Sequence, residues 1–161
     1  MNTVMHYALI GHPLGHSMSP FIHSRLFALQ GLGEGKTAYT IRDIEPAALQ
    51  DELPRLLETV AGLNVTIPYK QAVIPYLDRL EGRGALYRSV NTIAVTSREK
   101  VGYNTDAEGF LSALKAGGAA LQGRVLLLGC GGVGRTFACE AALAGCEIIN
   151  AVRPSGLEKA H

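Results

Sequence analysis

The chain has 161 residues, of which 47% are hydrophobic and 18% charged, and its formal net charge is +1. That is enough chain to bury a core, and the near-neutral balance argues against a nucleic-acid footprint and a polybasic membrane anchor. No apolar run approaches the ~18 residues of a membrane span, and no secretion signal is expected. Cys130, Cys139 and Cys146 are odd in number and without paired spacing. They read as reduced thiols of a cytoplasmic protein rather than as disulfides or zinc ligands. Nine of the 19 Gly fall between Gly102 and Gly134, so that stretch makes unusual backbone demands.

Strand-like and helix-like segments alternate, which predicts an α/β architecture. Tyr7–Ile10 is a short apolar strand stopped by Gly11. Ser19 then acts as an N-cap with Pro20 at the first helical position. Ile22, Leu26 and Leu29 form one helical face, ended by Gly31. Thr37–Ile41 is a second strand. Two short helices start at Pro46 and Pro54, with Leu49, Leu53, Leu56, Leu57 and Val60 inward and Pro54 breaking what would otherwise be one helix. Gly62–Val65 is a third strand, and Val90–Thr96 and Lys100–Tyr103 are two more, joined around Arg98-Glu99. Thr105-Asp106-Ala107-Glu108 matches a capping box. Ala107, Phe110, Leu111 and Leu114 follow at helical spacing. Val125–Leu128 is a buried strand, Gly129–Gly134 a tight loop, Arg135–Leu143 a helix and Glu147–Val152 the last strand. A domain boundary is expected near Gly117–Gly123.

Gly129-Cys130-Gly131-Gly132-Val133-Gly134 places G-x-G-x-x-G between a strand and an alanine-rich helix, the context a dinucleotide fingerprint requires. Gly129 makes the turn, Gly131 admits a pyrophosphate, and Gly134 lets the helix pack on the strand. The helix N-terminus then stabilises phosphate charge. A glycine turn in a nucleotide-free α/β domain is the alternative. No acid ends the next strand. Arg153 stands there, followed by Ser155 and Lys159, and a guanidinium suits the 2′-phosphate of NADP; a solvated surface Arg is the other reading.

Three polar clusters precede the glycine loop. Ser17 and Ser19 offer two hydroxyls at a helix start, able to donate to a carboxylate, although Ser19 could serve as a cap alone. Asn64, Thr66 and Lys70 stand at a strand's C-terminal end, where open α/β sheets bind ligands; a surface amine is the plainer reading of Lys70. Asn91-Thr92 and Asn104-Thr105-Asp106 form the third cluster. Asp106 is an acceptor for a sugar-like hydroxyl and a partner for Lys70, or a first-turn carboxylate stabilised by the helix dipole. His6, His12, His16, His23 and His161 have no metal-ligand spacing and no acid arranged with them, and read as loop and helix-start residues. No metal site is expected.

These segments together resemble shikimate dehydrogenase and its quinate/shikimate relatives. The resemblance rests on Gly11-His12-Pro13-Leu14-Gly15-His16-Ser17-Met18-Ser19-Pro20, Asn64-Val65-Thr66-Ile67-Pro68-Tyr69-Lys70, Val90-Asn91-Thr92, Asn104-Thr105-Asp106 and Gly129-Cys130-Gly131-Gly132, in order across nearly the whole chain. It implies reduction of 3-dehydroshikimate to shikimate with NADPH in aromatic (chorismate) biosynthesis. It also implies an N-terminal substrate domain with a mostly parallel sheet over 1–117 and the first β-α-β unit of a Rossmann domain over 118–161. Carried over by motif, Ser17 and Ser19 would hold the substrate carboxylate, and Thr66, Asn91 and Asp106 its ring hydroxyls. Asn64 would support the site, and Lys70 and Asp106 would be the catalytic pair. Gly129, Gly131, Gly132, Val133, Gly134, Arg153 and Ser155 would hold NADP. The expected partner is the small-molecule substrate, with neither nucleic acid nor membrane, and a homodimer stays open.

The chain departs from the family pattern in three places. Val133-Gly134 replaces small alanines, Pro154 follows Arg153 where a hydroxyl residue is usual, and family members run longer. The natural enzyme is therefore expected to be longer than this chain. NAD-dependent quinate/shikimate oxidation and a shikimate-binding module without turnover are the competing readings.

Overall fold

The computed structural model describes residues 4–33, 35–129 and 132–152. It divides into two compact units, Met1–Asn104 and Thr105–His161. The expected boundary near Gly117–Gly123 lies further along, because the helix that follows Asn104 belongs with the second unit.

The first unit is a six-stranded sheet in the order β2-β1-β3-β5-β6-β4. Its strands are β1 (Met5–Gly11), β2 (Thr37–Asp43), β3 (Gly62–Val65), β4 (Arg79–Leu80), β5 (Thr92–Val95) and β6 (Lys100–Tyr103). β1 pairs in parallel with β2 and β3, and β4 with β6, while β5 is antiparallel to both its neighbours. The mostly parallel α/β sheet is the one expected, with β3 and β6 at the expected bounds. β4 and the short helix α3 (Arg83–Tyr87) are additions to the expected elements. Both are too short for periodicity to register.

Registered residues share a face of a sheet. One face carries Ala8, Ile10, Leu63, Val65 and Ile93 and is covered by α2 (Leu49–Leu57), whose Leu49, Leu53 and Leu57 complete the buried cluster. Pro54 lies inside α2 instead of breaking it, which corrects the expected pair of helices. Its ring removes one backbone donor on the exposed side of the helix, where water can satisfy the carbonyl left over. The 3₁₀ turn Pro46–Ala48 leads into the same helix.

The opposite face carries Tyr7, Tyr39, Asn64 and Thr92. α1 (Ser19–Leu29) lies on it through His23 and Phe27: the Phe27 ring is 5.0 Å from Tyr7, and His23 stacks on Tyr39. The Ile22, Leu26 and Leu29 face is exposed. It stands one residue, about 100°, away from the face that meets the sheet. Met18 is the N-cap of α1 and makes no capping side-chain bond; Ser17 Oγ instead accepts the Ser19 N–H at 3.2 Å.

The second unit contains α4 (Asp106–Ala116), β7 (Arg124–Leu128), α5 (Gly132–Leu143) and β8 (Glu147–Ala151). β7 and β8 pair in parallel, as a β-α-β unit requires. Phe110 of α4 stacks on Phe137 of α5 at 3.9 Å. Thr105 occupies the N-cap of α4, but its side chain makes no capping bond, so the capping box is present in sequence without its hydrogen bond. β7 is not the buried strand expected. Leu126 and Leu128 are 60% and 83% exposed, because a two-stranded sheet with one helix leaves an apolar face uncovered. α5 begins at Gly132, three residues before the expected start. Among the described residues, no helix is long and apolar enough to cross a membrane.

Candidate functional site

The C-terminal ends of β1, β2 and β3 are stitched together by backbone. Thr66 N–H donates to Ile10 O at 2.9 Å, His12 N–H to Ile67 O at 2.9 Å and Ile44 N–H to Gly11 O at 3.2 Å. Gly11 is where the two loops touch. A Cβ there would sit 2.6 Å from Thr66 Cγ2 and 2.9 Å from the Ile67 carbonyl oxygen. The Thr66–Lys70 loop is further held by Tyr69, which is buried and whose hydroxyl donates to Ile44 O. Burial pushes the Tyr69 phenol above its ordinary range. Lys70 accepts the Val90 N–H through its carbonyl at 2.7 Å, so its half-buried side chain starts from a backbone fixed on both sides.

The Ser17 loop is held by a pair missed in the sequence. His12 Nδ1 lies 2.8 Å from Asp43 Oδ1, and the Leu14 N–H donates to Asp43 Oδ2 at 2.9 Å. The Leu14 N–H, then the His12 bond, hold the Asp43 carboxyl below its ordinary range. His12 does therefore have an acid arranged with it, 31 residues away in sequence. His23 is likewise neither a loop nor a helix-start residue: its ring stacks parallel to Tyr39, centroids 4.3 Å apart.

Ser17 and Ser19 form one hydrogen-bonded pair, and Tyr39, Asn64, Thr92 and Asn91 form a hydrogen-bonded chain. Ser17 Oγ donates to Ser19 Oγ at 3.1 Å. Tyr39 OH donates to Asn64 Oδ1 at 2.7 Å. Its single proton is thereby committed to Asn64. Asn64 Nδ2 then faces Thr92 Oγ1 at 3.5 Å, and Thr92 Oγ1 donates to Asn91 Oδ1 at 3.0 Å. Burial, partly offset by the Ser19 hydroxyl, raises the Tyr39 phenol to about 12, so it remains a neutral donor. Sequence reasoning missed Tyr39 because a tyrosine in a strand looks like core; only register pairs it with the Asn64 face. Asn104, also buried, donates from Nδ2 to Ser89 O at 3.0 Å and fixes the third cluster's backbone.

Asp106 stands in the first turn of α4, in the second unit, half-buried. The glycine loop belongs to the same unit. Gly129 has φ +108°, a conformation that L side chains rarely adopt, and a Cβ at Gly134 would sit 3.2 Å from Gly129 O. Gly134, in the first turn of α5, therefore lies against Gly129 just past the end of β7, a close helix–strand packing of the kind a dinucleotide fingerprint uses. Val133 lies in the first turn of α5 and is 42% exposed. Gly131, Arg153 and Ser155 lie outside the described residues. Among the described residues, no group of three or more His, Cys, Asp or Glu could hold a metal ion.

Residues 9–93 match the family model described as the shikimate dehydrogenase substrate binding domain. The chain is 40% identical over 146 residues to a shikimate dehydrogenase (NADP(+)) of Thermus thermophilus, covering 90% of this chain and 54% of that one. A Moorella thermoacetica protein of the same name is 42% identical over 141 residues, covering 86% and 47%. The crystal structure of a Thermus thermophilus shikimate 5-dehydrogenase in complex with NADP(H) and shikimate superposes with a TM-score of 0.82 at 35% identity, covering 94% of this chain and 57% of that one. The chain thus spans about half the length of the curated relatives it matches.

Proposed function

The chain belongs to the shikimate dehydrogenase family, and on that premise we propose that the protein is an NADP-dependent oxidoreductase interconverting 3-dehydroshikimate and shikimate. The observations that carry the reading are the Ser17–Ser19 hydroxyl pair and the donor chain from Tyr39 to Asn91, beside the stitched Thr66–Lys70 loop. A small cyclic acid with several hydroxyls needs such an array of fixed donors and acceptors.

Ser17 and Ser19 hold the carboxylate of the substrate, and Asn64, Thr66, Asn91 and Asp106 take its ring hydroxyls. When bound, NADPH supplies a hydride to the ketone carbon. Lys70 Nζ gives its proton to the ketone oxygen as that oxygen gains negative charge, and Asp106 orients the ammonium. In the reverse direction Lys70 takes the hydroxyl proton. Gly129, Gly131, Gly132, Val133 and Gly134 hold the cofactor pyrophosphate. Arg153 and Ser155 take its 2′-phosphate, the charge that selects NADP over NAD. The functional domains are a substrate domain over 1–117 and a cofactor domain beginning at 118.

A second reading is shikimate binding without turnover by this 161-residue chain. It is favoured by one observation: the donor chain lies wholly in the first unit, whereas Asp106 and the glycine loop belong to the second. One experiment separates the two. Shikimate is titrated into the chain calorimetrically, and nicotinamide absorbance is then followed with shikimate and NADP. Saturable binding with turnover supports the dehydrogenase, and binding alone supports the module. No binding overturns both. Faster turnover of quinate with NAD would move the assignment to the quinate branch.

A further inference from the structure

His23 has no part in the roles proposed above, yet its surroundings are specific. Its imidazole lies parallel to the Tyr39 ring, 9° from coplanar with centroids 4.3 Å apart. Phe27, one turn on in the same helix, lies 5.9 Å from the imidazole and limits it from that side. Both Tyr39 and Asn64 are links of the donor chain, and they are the two links joined by its 2.7 Å bond.

We propose that His23 is a positioning residue that fixes which end of the Asn64 amide faces the binding site. An asparagine amide can turn over and exchange an acceptor for a donor at little cost in shape. Here Tyr39 OH commits Oδ1 as an acceptor, which leaves Nδ2 as the donor directed along the sheet to Thr92. That choice holds only while the phenol keeps its angle. The stacked imidazole holds the phenol ring, and the phenol in turn holds the amide. Burial keeps His23 below the ordinary histidine range, so the ring stacks as a neutral partner at neutral pH. His23 thus sets the direction of every donor beyond Tyr39, without itself being assigned a place against the substrate. The inference rests on the shikimate reading for its functional meaning and on the ligand-free geometry for its mechanism.

The test uses the full 161-residue chain with two readouts. The first is the Asn64 side-chain amide proton pair by NMR without ligand, in the wild type, His23→Phe and His23→Gln. A fixed amide gives two well-separated, slowly exchanging protons. His23→Phe keeps a ring against Tyr39, and His23→Gln removes the stack. His23→Gln is expected to bring the pair together and speed its exchange, and His23→Phe to leave it close to the wild type. The second readout is shikimate affinity, with a thermal melt of each variant to confirm folding. His23→Gln is expected to weaken binding about fivefold, the worth of one hydrogen bond in the chain beyond Tyr39, and to add nothing further in an Asn64→Ala background. An unchanged amide pair in His23→Gln overturns the inference, as does an equal His23→Gln effect on binding with and without Asn64. If the wild type fails to bind shikimate while the amide pair still responds, the shikimate reading falls and the role of His23 stands.

Discussion

Gly11→Ala links the stability of the first unit to its site. The new methyl would lie 2.6 Å from Thr66 Cγ2, 2.9 Å from Leu14 Cδ2 and 2.9 Å from Ile67 O, against the ~3.5–4.0 Å of a relaxed carbon contact. The two side chains can turn away. The Ile67 carbonyl cannot do so cheaply, because it is backbone and already accepts the His12 N–H at 2.9 Å. Overpacking of this kind costs ~1–3 kcal/mol, and weakening one hydrogen bond adds ~1 kcal/mol. The sum is ~2–4 kcal/mol, which at a mid-range urea slope of ~2 kcal/mol/M lowers the midpoint by roughly 1–2 M. Tyrosine fluorescence is the right probe, because all six Tyr precede residue 105 and the chain has no Trp. It therefore reports the first unit alone. Gly15→Ala, in the same loop with nothing within 4 Å of its added methyl, is the control and should stay within ~0.5 kcal/mol of the wild type. Gly11→Ala should also weaken shikimate binding, since Thr66 must move. Equal midpoints for the two variants would refute the steric argument. A lowered midpoint with unchanged binding would refute the link between the stitched loops and the site.

Asp43 makes the Ser17 loop pH-dependent in a predictable direction. Its folded pKa is depressed, so the stabilisation is fully present above the ordinary carboxylate range and is lost as pH falls through the lower folded value. Melting temperatures of the wild type against pH, compared with Asp43→Asn, should converge in acid; parallel curves would remove the role. Lys70→Ala should lower kcat by roughly 10²–10⁴-fold with a much smaller change in shikimate affinity, and steady-state kinetics beside calorimetry measures both. Leu53 is fully buried, and Leu53→Ala should cost ~2–5 kcal/mol. Leu128→Ser, at a position 83% exposed, should cost under ~0.5 kcal/mol in this chain and improve its solubility; urea unfolding and light scattering compare the two.

Much of the sheet could be read from the chain because its signals are local. Gly62–Val65 and Lys100–Tyr103 are short apolar runs with turn residues at both ends, and both are strands at those bounds. Gly129 and Gly134 also have the backbone demands their spacing implies. The misses are matters of three-dimensional register. Tyr39 and Asn64 are 25 residues apart and meet only because β1 holds β2 and β3 on either side. Asp43 reaches His12 for the same reason. The contact face of α1 lies one residue away from the face its periodicity selects. Aliphatic side chains dominate hydrophobic periodicity, while the ring-bearing His23 and Phe27 make the observed ring contacts with the sheet. Pro54 reads as a breaker because sequence does not reveal which side of a helix faces water.

The backbone stitches at the ends of β1, β2 and β3 also bear on the entropy of binding. Their hydrogen bonds are made within the chain, with no ligand needed to form them. The ordering of these loops is thus completed during folding, and an incoming molecule meets donors whose positions are already set. Immobilising a flexible side chain on binding costs ~0.5–1.5 kcal/mol. A site assembled from loose polar groups would lose much of a small ligand's affinity to that term. Here Ser17 and Ser19 constrain one another, as do Tyr39, Asn64 and Thr92. Amide exchange protection along the Thr66–Lys70 loop should therefore be high before ligand arrives and rise little afterwards.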